Sequence, residues 1–258
     1  MSNWRKRVIP VLLLNGEGLV KTVKFKNPKY VGDAVNCVKI FNDKEVDEIA
    51  IIDITSLNIR TEPNFELLKD FTSECFSPLS YGGKIRSINQ IRKILSIGVE
   101  KVIINSAAIE DPDFLRKACL EFGSSTIVGS IDVKKDIFGR SRVYISNGRK
   151  NTGKTPMEVI KQFEESGVGE ILLNSIDRDG TKMGFDLEMI NTLSKSVTIP
   201  VIACGGANDV NDFILALKNG ASAVAAGSKF VFNGRHNAVL ITYLSEDENY
   251  KLLKYEDK

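Results

Sequence analysis

Residues 126–132 read Thr-Ile-Val-Gly-Ser-Ile-Asp, an apolar run that ends in a carboxylate. Such a run is expected as a strand buried on both faces. Asp132 would then stand at the rim of a sheet, either as a loop cap or as a group that gives and takes a proton. Two other runs end in glycine pairs, Gly82-Gly83 and Gly205-Gly206, and the next run in each case is followed by Asn105-Ser106 or Gly227-Ser228. Glycine lets backbone N–H groups approach a phosphate, and a following helix offers its positive end. One Gly-Gly is an ordinary tight turn. Two of them, spaced alike, are expected to bind a ligand with a phosphate at each end. Lys84 follows the first pair where Ala207 follows the second, so the two turns are not equal. A third set lies at the opposite ends of the runs: Arg7 precedes Val8, Glu48 precedes Ile49, Lys101 precedes Val102 and Glu170 precedes Ile171. These side chains form either surface salt bridges, which stabilise little, or a closed ring of alternating charge.

The elements that must position these residues alternate along the chain. Strands are expected at 8–14, 49–52 (closed by Asp53), 78–81, 102–104, 126–132, 171–173, 199–203 and 223–226. Helices are expected at 33–44, with Asp33 as N-cap, and at 64–76, 87–97, 112–122, 155–166, 186–195 and 209–219. Gly98, Gly123 and Gly220 follow three of them, as helix C-termini favour. Eight strands with helices between them predict a closed parallel (β/α)8 TIM barrel, one domain over residues 1–258. Its carboxyl-terminal rim is where such barrels do chemistry. An internal repeat supports the assignment. Glu170, Gly220 and Gly227 lie 122 residues beyond Glu48, Gly98 and Asn105, and Gly205 lies 123 beyond Gly82. Two half-barrels built alike give this pattern. Residues 134–153 break the rhythm; a polar stretch of that length is expected as a lid, a binding loop or a disordered segment.

Composition excludes several classes. The 258 residues are 43% hydrophobic and 26% charged, ordinary for a globular chain with a large core. A net charge of +2 leaves no nucleic-acid footprint. No apolar run approaches the ~18 residues that a membrane span needs. Residues 1–7 are basic and 8–14 apolar, but no small-residue cleavage site follows, so a cytoplasmic location is expected. Cys37, Cys75, Cys119 and Cys204 lack CxxC spacing, which argues against zinc and against a disulfide framework. His236 is the only histidine, so a histidine relay or multi-histidine metal site is excluded by counting. Neither a metal nor a cofactor is expected.

Four motifs carry a resemblance. Asn-Ser-Ile-Asp-Arg-Asp-Gly-Thr at 174–181, Asn-Thr-Gly at 151–153, Gly-Gly-Ala at 205–207 and Ser-Ile-Asp-Val-Lys at 130–134 resemble the HisF-like cyclase subunit of imidazole glycerol phosphate synthase, over nearly the whole chain. The resemblance implies a glutaminase partner (HisH-like) docked on the amino-terminal face of the barrel in a heterodimer. Ammonia would pass a gate of four charged residues, matched by Arg7, Glu48, Lys101 and Glu170. It would then travel up the barrel to a substrate carrying two phosphates. Asp132 matches one of two catalytic aspartates, and Lys21, Asn105 and Asp179 match further active-site positions. The other catalytic aspartate falls at Leu13, and Asn174 stands where the family commonly has threonine. Loss of one acid places cyclisation in doubt and leaves the ammonia route untouched. The segments Val-Ile-Pro-Val-Leu-Leu-Leu (8–14) and Leu-Val-Lys-Thr-Val-Lys-Phe-Lys-Asn-Pro-Lys-Tyr (19–30) resemble a paralogous subfamily that accompanies sugar amidation in bacterial surface polysaccharides, delivering ammonia to a separate amidotransferase. The preferred expectation is therefore an ammonia-conducting subunit of a sugar-amidating system. The alternative is the true cyclase/lyase of histidine biosynthesis. A phosphate-ligand isomerase barrel without a partner is a third class, and the charged strand starts argue against it.

Overall fold

The computed structural model describes residues 6–234 and 238–256; His236 lies outside them. Eight parallel strands close into a barrel: Val8–Asn15, Ile49–Asp53, Leu79–Gly82, Lys101–Ile104, Ile127–Lys135, Glu170–Ser175, Val201–Cys204 and Ala223–Ala226. Each pairs with its neighbours in chain order, and Ala223–Ala226 returns to pair with Val8–Asn15, Val8 opposite Val224. The alternation of strand side chains divides the core in two. Val8, Leu12 and Leu14 join a large cluster under the surrounding helices, while Ile9 and Val11 point into the lumen with Ala50, Ile103, Val128, Leu172 and Ile202. Leu13 and Ile52 pack on the upper end of that lumen cluster.

The helices begin at the carboxyl-terminal rim, and local chemistry fixes their starts. Asp33, Asn64, Ser87, Asp111, Thr155, Asp186 and Asp209 each accept a backbone N–H of the first helical turn. Such caps contribute about 1 kcal/mol each. Pro112 and Pro156 occupy first-turn positions, where the missing N–H costs nothing.

One expectation needs correction. Residues 134–153 do not form a free lid or a disordered loop. The fifth strand runs through Asp132 to Lys135 and turns back as Ser141–Ile145, antiparallel, with Tyr144 opposite Asp132. Lys150–Asn151 adds a further short pairing. The physical reason is a two-residue apolar period: Val133, Val143 and Ile145 are buried, between charged residues that face water and obscure the pattern. A second hairpin, Gly18–Val23 with Lys26–Asp33, rises from the first strand and pairs with it through Leu14 and Leu19. Among the described residues no helix is long and apolar enough to cross a membrane.

Candidate functional site

The carboxyl-terminal rim gathers Asp132, Asn105, Asn174, Asp179 and Lys21. Strand register sets the first three. Asn174 stands opposite Asp132 on the neighbouring strand and hydrogen-bonds its carboxylate. Asn105, at the end of the fourth strand, donates from Nδ2 to Ser130 O at 3.0 Å and to Asp132 Oδ2 at 3.3 Å. Asp179 comes from the loop after Glu170–Ser175; its Oδ2 accepts the Thr22 hydroxyl at 3.2 Å, and its carbonyl accepts Lys24 N at 2.9 Å. That loop is thereby tied to the first hairpin. Lys21, on the same hairpin, is 6% exposed and donates Nζ to the Val11 carbonyl.

Desolvation governs the titration of this group. It pushes the Asp132 carboxyl up to about 7, and the neighbouring negative charge of Asp179 adds to the shift, against the Asn174 hydrogen bond. Burial raises the Asp179 carboxyl as well, opposed by Lys21 and the Thr22 hydroxyl. Burial brings the Lys21 ammonium down to about 8. An acid with a pKa near the working pH is suited to general acid/base transfer. The same shift makes a stability prediction. The folded protein holds the Asp132 proton more tightly than the unfolded chain does, so stability falls as pH rises from about 4 to about 7, and is flat above for this group. Replacing Asp132 by Asn removes that term. Asp132→Asn is expected to exceed the parent in unfolding free energy at pH 7.5 by roughly 2–4 kcal/mol, with the gain shrinking toward zero near pH 4. Urea titrations at the two pH values check it; a pH-independent difference would refute the assignment.

The glycine turns fall on opposite sides of the mouth, because the third and fourth strands lie across the barrel from the seventh and eighth. Gly83 and Gly206 share a left-handed backbone, φ +110° and +111°. A Cβ at Gly83 would lie 2.3 Å from Asp53 O, and one at Gly206 would lie 2.2 Å from Gly184 O. Glycine is thus required at both positions by the fold itself. Gly82 belongs to the third strand, whereas Gly205 is also left-handed, and a Cβ there would lie 2.7 Å from Asn174 Oδ1. Asn105 and Gly227 sit at the N-cap positions of two short helices, Ser106–Glu110 and Ser228–Val231. The Ser106 hydroxyl donates to Asn105 Oδ1 and accepts Ser146 N of the fifth-strand hairpin, at 3.3 and 3.2 Å. Lys21 Nζ lies where a Cβ on Gly227 would be, 2.2 Å away, so the lysine and the second turn share one location.

Sequence reasoning missed how Lys84 breaks the symmetry. Its ammonium binds Asp53 Oδ1 at 2.8 Å, with side chains 3% and 0% exposed, and Tyr81 OH donates to Asp53 Oδ2 at 3.2 Å. The second half has Ser175 and Ala207 at the equivalent positions; both charges are absent together. Their common spacing in the repeat was a signal for the pair. The Asn174 amide oxygen is buried without a partner, an unfilled acceptor at the rim that no spacing reveals.

At the opposite end, the four charged strand starts meet. Arg7 donates to Glu48 Oε2 at 2.6 Å and to Glu170. Lys101 donates to Glu48 Oε2 at 3.2 Å and Glu170 Oε2 at 2.9 Å. Each cation bridges both carboxylates, so the four groups close a ring across the lumen. The Ser80 hydroxyl adds a bond to Glu48 Oε1 at 3.0 Å. Glu48 is 4% exposed, and the ring lies directly below the apolar lumen of Ile9, Ala50 and Val128. Among the described residues no cluster of histidine, cysteine and carboxylate side chains is arranged for a metal.

Fold and site together define a (β/α)8 barrel with polar chemistry at the carboxyl ends of its strands and a charged closure at the other end. The histidine biosynthesis protein family matches residues 7–237, and the chain belongs to that family, as a HisF-like imidazole glycerol phosphate synthase subunit. It is 51% identical over 240 residues to a Pseudomonas aeruginosa protein provisionally named imidazole glycerol phosphate synthase subunit hisF2, covering 93% of this chain and 96% of that one. It is 44% identical over 252 residues to a Vibrio vulnificus protein provisionally named subunit hisF3, with 97% of each chain covered. Imidazole glycerol phosphate synthase subunit HisF of Alkaliphilus metalliredigens is 41% identical over 229 residues, covering 88% of this chain and 91% of that one.

Proposed function

We propose that this chain is the ammonia-conducting subunit of a glutamine-dependent complex, and that the ammonia serves the amidation of a sugar in bacterial surface-polysaccharide synthesis. A glutaminase docks beneath the ring of Arg7, Glu48, Lys101 and Glu170. Ammonia released there passes between the paired side chains and through the lumen. The walls of that route are aliphatic, which suits a neutral solute and disfavours ammonium. At the rim, the turns at Gly82, Gly83, Asn105 and Ser106 and at Gly205, Gly206, Gly227 and Ser228 hold a ligand with two phosphates by backbone amides.

The observation that carries this reading is Leu13. Its side chain packs on the lumen cluster beside Ile52, on the first strand, which lies across the barrel from the fifth strand that holds Asp132. A cyclase of the resembled kind needs an acid on each of these strands, and an alkyl group moves no proton. Asp132 then has Asn105, Asn174 and Asp179 around it but no carboxyl partner at position 13.

The second reading is cyclisation in histidine biosynthesis, favoured by the Asn105 hydrogen bond to Asp132 and the Asp132 carboxyl pKa near neutrality. The two are separated by one assay. With free ammonium and the diphosphate ribulosyl intermediate, the protein is expected to turn over roughly 10²–10⁴-fold more slowly than an enzyme with both acids. Formation of imidazole glycerol phosphate at the rate of a two-acid enzyme would reject the conduction reading and establish the cyclase.

A further inference from the structure

The hairpin that continues the fifth strand beyond Asp132 ends in the most exposed aliphatic side chain of the described residues. Ile137 is 94% exposed and Phe138 72%. Two neighbouring large apolar residues at a tip, open to water, call for a partner. The tip is also built to hold its shape. Asp136 Oδ1 accepts Phe138 N at 2.8 Å and Arg140 N at 3.0 Å, and its Oδ2 accepts Arg140 Nε at 2.9 Å. Asp136 N donates to Arg140 O and Gly139 N donates to Asp136 O, at 2.9 and 3.0 Å. Gly139 takes the left-handed conformation, φ +75°, that closes the turn. The Arg140 guanidinium lies over the Phe138 ring, 4.8 Å from its centre. One aspartate therefore fixes the backbone on both sides of the apolar pair before anything binds. Such preorganisation lowers the ordering cost of association and is typical of an anchoring residue.

Charge narrows the identity of the partner. From Lys134 to Lys154 the chain carries seven lysines and arginines and a single acid, Asp136. The whole chain has a net charge of +2, so the hairpin concentrates positive charge that the remainder does not share. Position narrows it further. The hairpin is the same continuous strand that bears Asp132, so it rises from the mouth where the lumen opens. Ammonia that escapes there into neutral water is protonated and lost as a nucleophile. An enzyme that uses it has to sit over the mouth.

We infer that the Ile137–Phe138 tip docks the ammonia-consuming amidotransferase onto the carboxyl-terminal face, its apolar pair seated in a pocket with an acidic rim. This rests on the conduction reading given above. The barrel is then held between two enzymes, glutaminase below and amidotransferase above. Opposite charge at the upper contact speeds encounter and sets the register.

The test places the photo-crosslinker p-benzoylphenylalanine at position 138 in the protein's own cells, with the glutaminase complex intact. The crosslinked protein is identified by mass spectrometry. The expected adduct is an ATP-using enzyme that consumes ammonia in forming an amide or amidine. That enzyme, purified and combined with the barrel and its glutaminase, is then assayed with Phe138→Asp. Phe138 is exposed, so the variant folds, and glutaminase turnover and ammonium-driven amidation stay at the parent level. Glutamine-driven amidation is expected to drop at least tenfold. An adduct with a second copy of this chain, with the glutaminase or with none of these overturns the docking. Equal glutamine-driven amidation by parent and variant overturns it too. These results differ from the failure of the conduction reading itself, which is recognised by robust cyclase turnover of the parent.

Discussion

Leu13→Asp is expected to raise ammonium-driven cyclisation by roughly 10²–10⁴-fold over the parent, the usual span for one positioned acid/base group. The backbone at this position is fixed by two neighbours: Leu13 pairs with Ile52 on the second strand and with Val20 on the hairpin. A carboxylate placed there enters the lumen mouth above Val11, near the half-buried Asp132. Two acids facing one space raise each other's pKa, so the variant holds one more shared proton at neutral pH than two isolated carboxyls would. The pH–rate profile of the variant should consequently be bell-shaped. The variant also desolvates a carboxyl among Ile52 and the lumen residues, and a lower melting temperature is expected with the gained activity. The measurement is imidazole glycerol phosphate formed per minute from the diphosphate intermediate and ammonium. A variant that folds, binds the intermediate and shows no gain would mean that Leu13 is not what limits cyclisation.

Lys101→Ala is the second large effect. In the ring each carboxylate is held by both cations, and Lys101 is the only lysine among the four groups. Its removal leaves Arg7 bridging Glu48 and Glu170 on one side and opens the other. Glu48 keeps Arg7 and the Ser80 hydroxyl, so the barrel is expected to fold, at a cost of about 1–3 kcal/mol for the partly buried pair. On the proposed route, ammonia then leaks. Measured as ammonia released to solvent per glutamine hydrolysed, with glutaminase and acceptor enzyme present, leakage should rise several-fold over the parent. Equal leakage would reduce the ring to a structural salt-bridge network. Lys101→Met, which retains most of the side-chain bulk without the charge, separates loss of the pairing from loss of volume: leakage near that of Lys101→Ala assigns the effect to charge.

Much of this was legible beforehand in local patterns. Strand runs and helix caps are short-range facts, and Asp33, Gly98, and Pro112 with Gly123 mark their helices at the residues where the structure has them. The repeat tied Gly82-Gly83 to Gly205-Gly206 before either was placed. The region beyond Asp132 was misread because its charged residues lie on the solvent face of a hairpin and hide the period of Val133, Val143 and Ile145. Pairing between strands is a non-local property, and a polar stretch reads as a loop until its partner is known.

The sequence by itself determined the eight-fold alternation, the family resemblance, the leucine at position 13 and the residue types that open and close each strand. It determined them because hydrophobic period, capping and turn chemistry act over a few residues. Only the tertiary structure decided what those residues do to one another. It closed Arg7, Glu48, Lys101 and Glu170 into a ring, although they lie up to 163 positions apart. It spent the charge of Lys84 on Asp53, put Lys21 against Gly227 and packed Leu13 onto the lumen. It also pushed the Asp132 carboxyl up to about 7. Closure of the barrel is the physical reason: it brings distant strand ends within hydrogen-bond reach and removes water from between them, and both distance and desolvation are properties of the closed sheet.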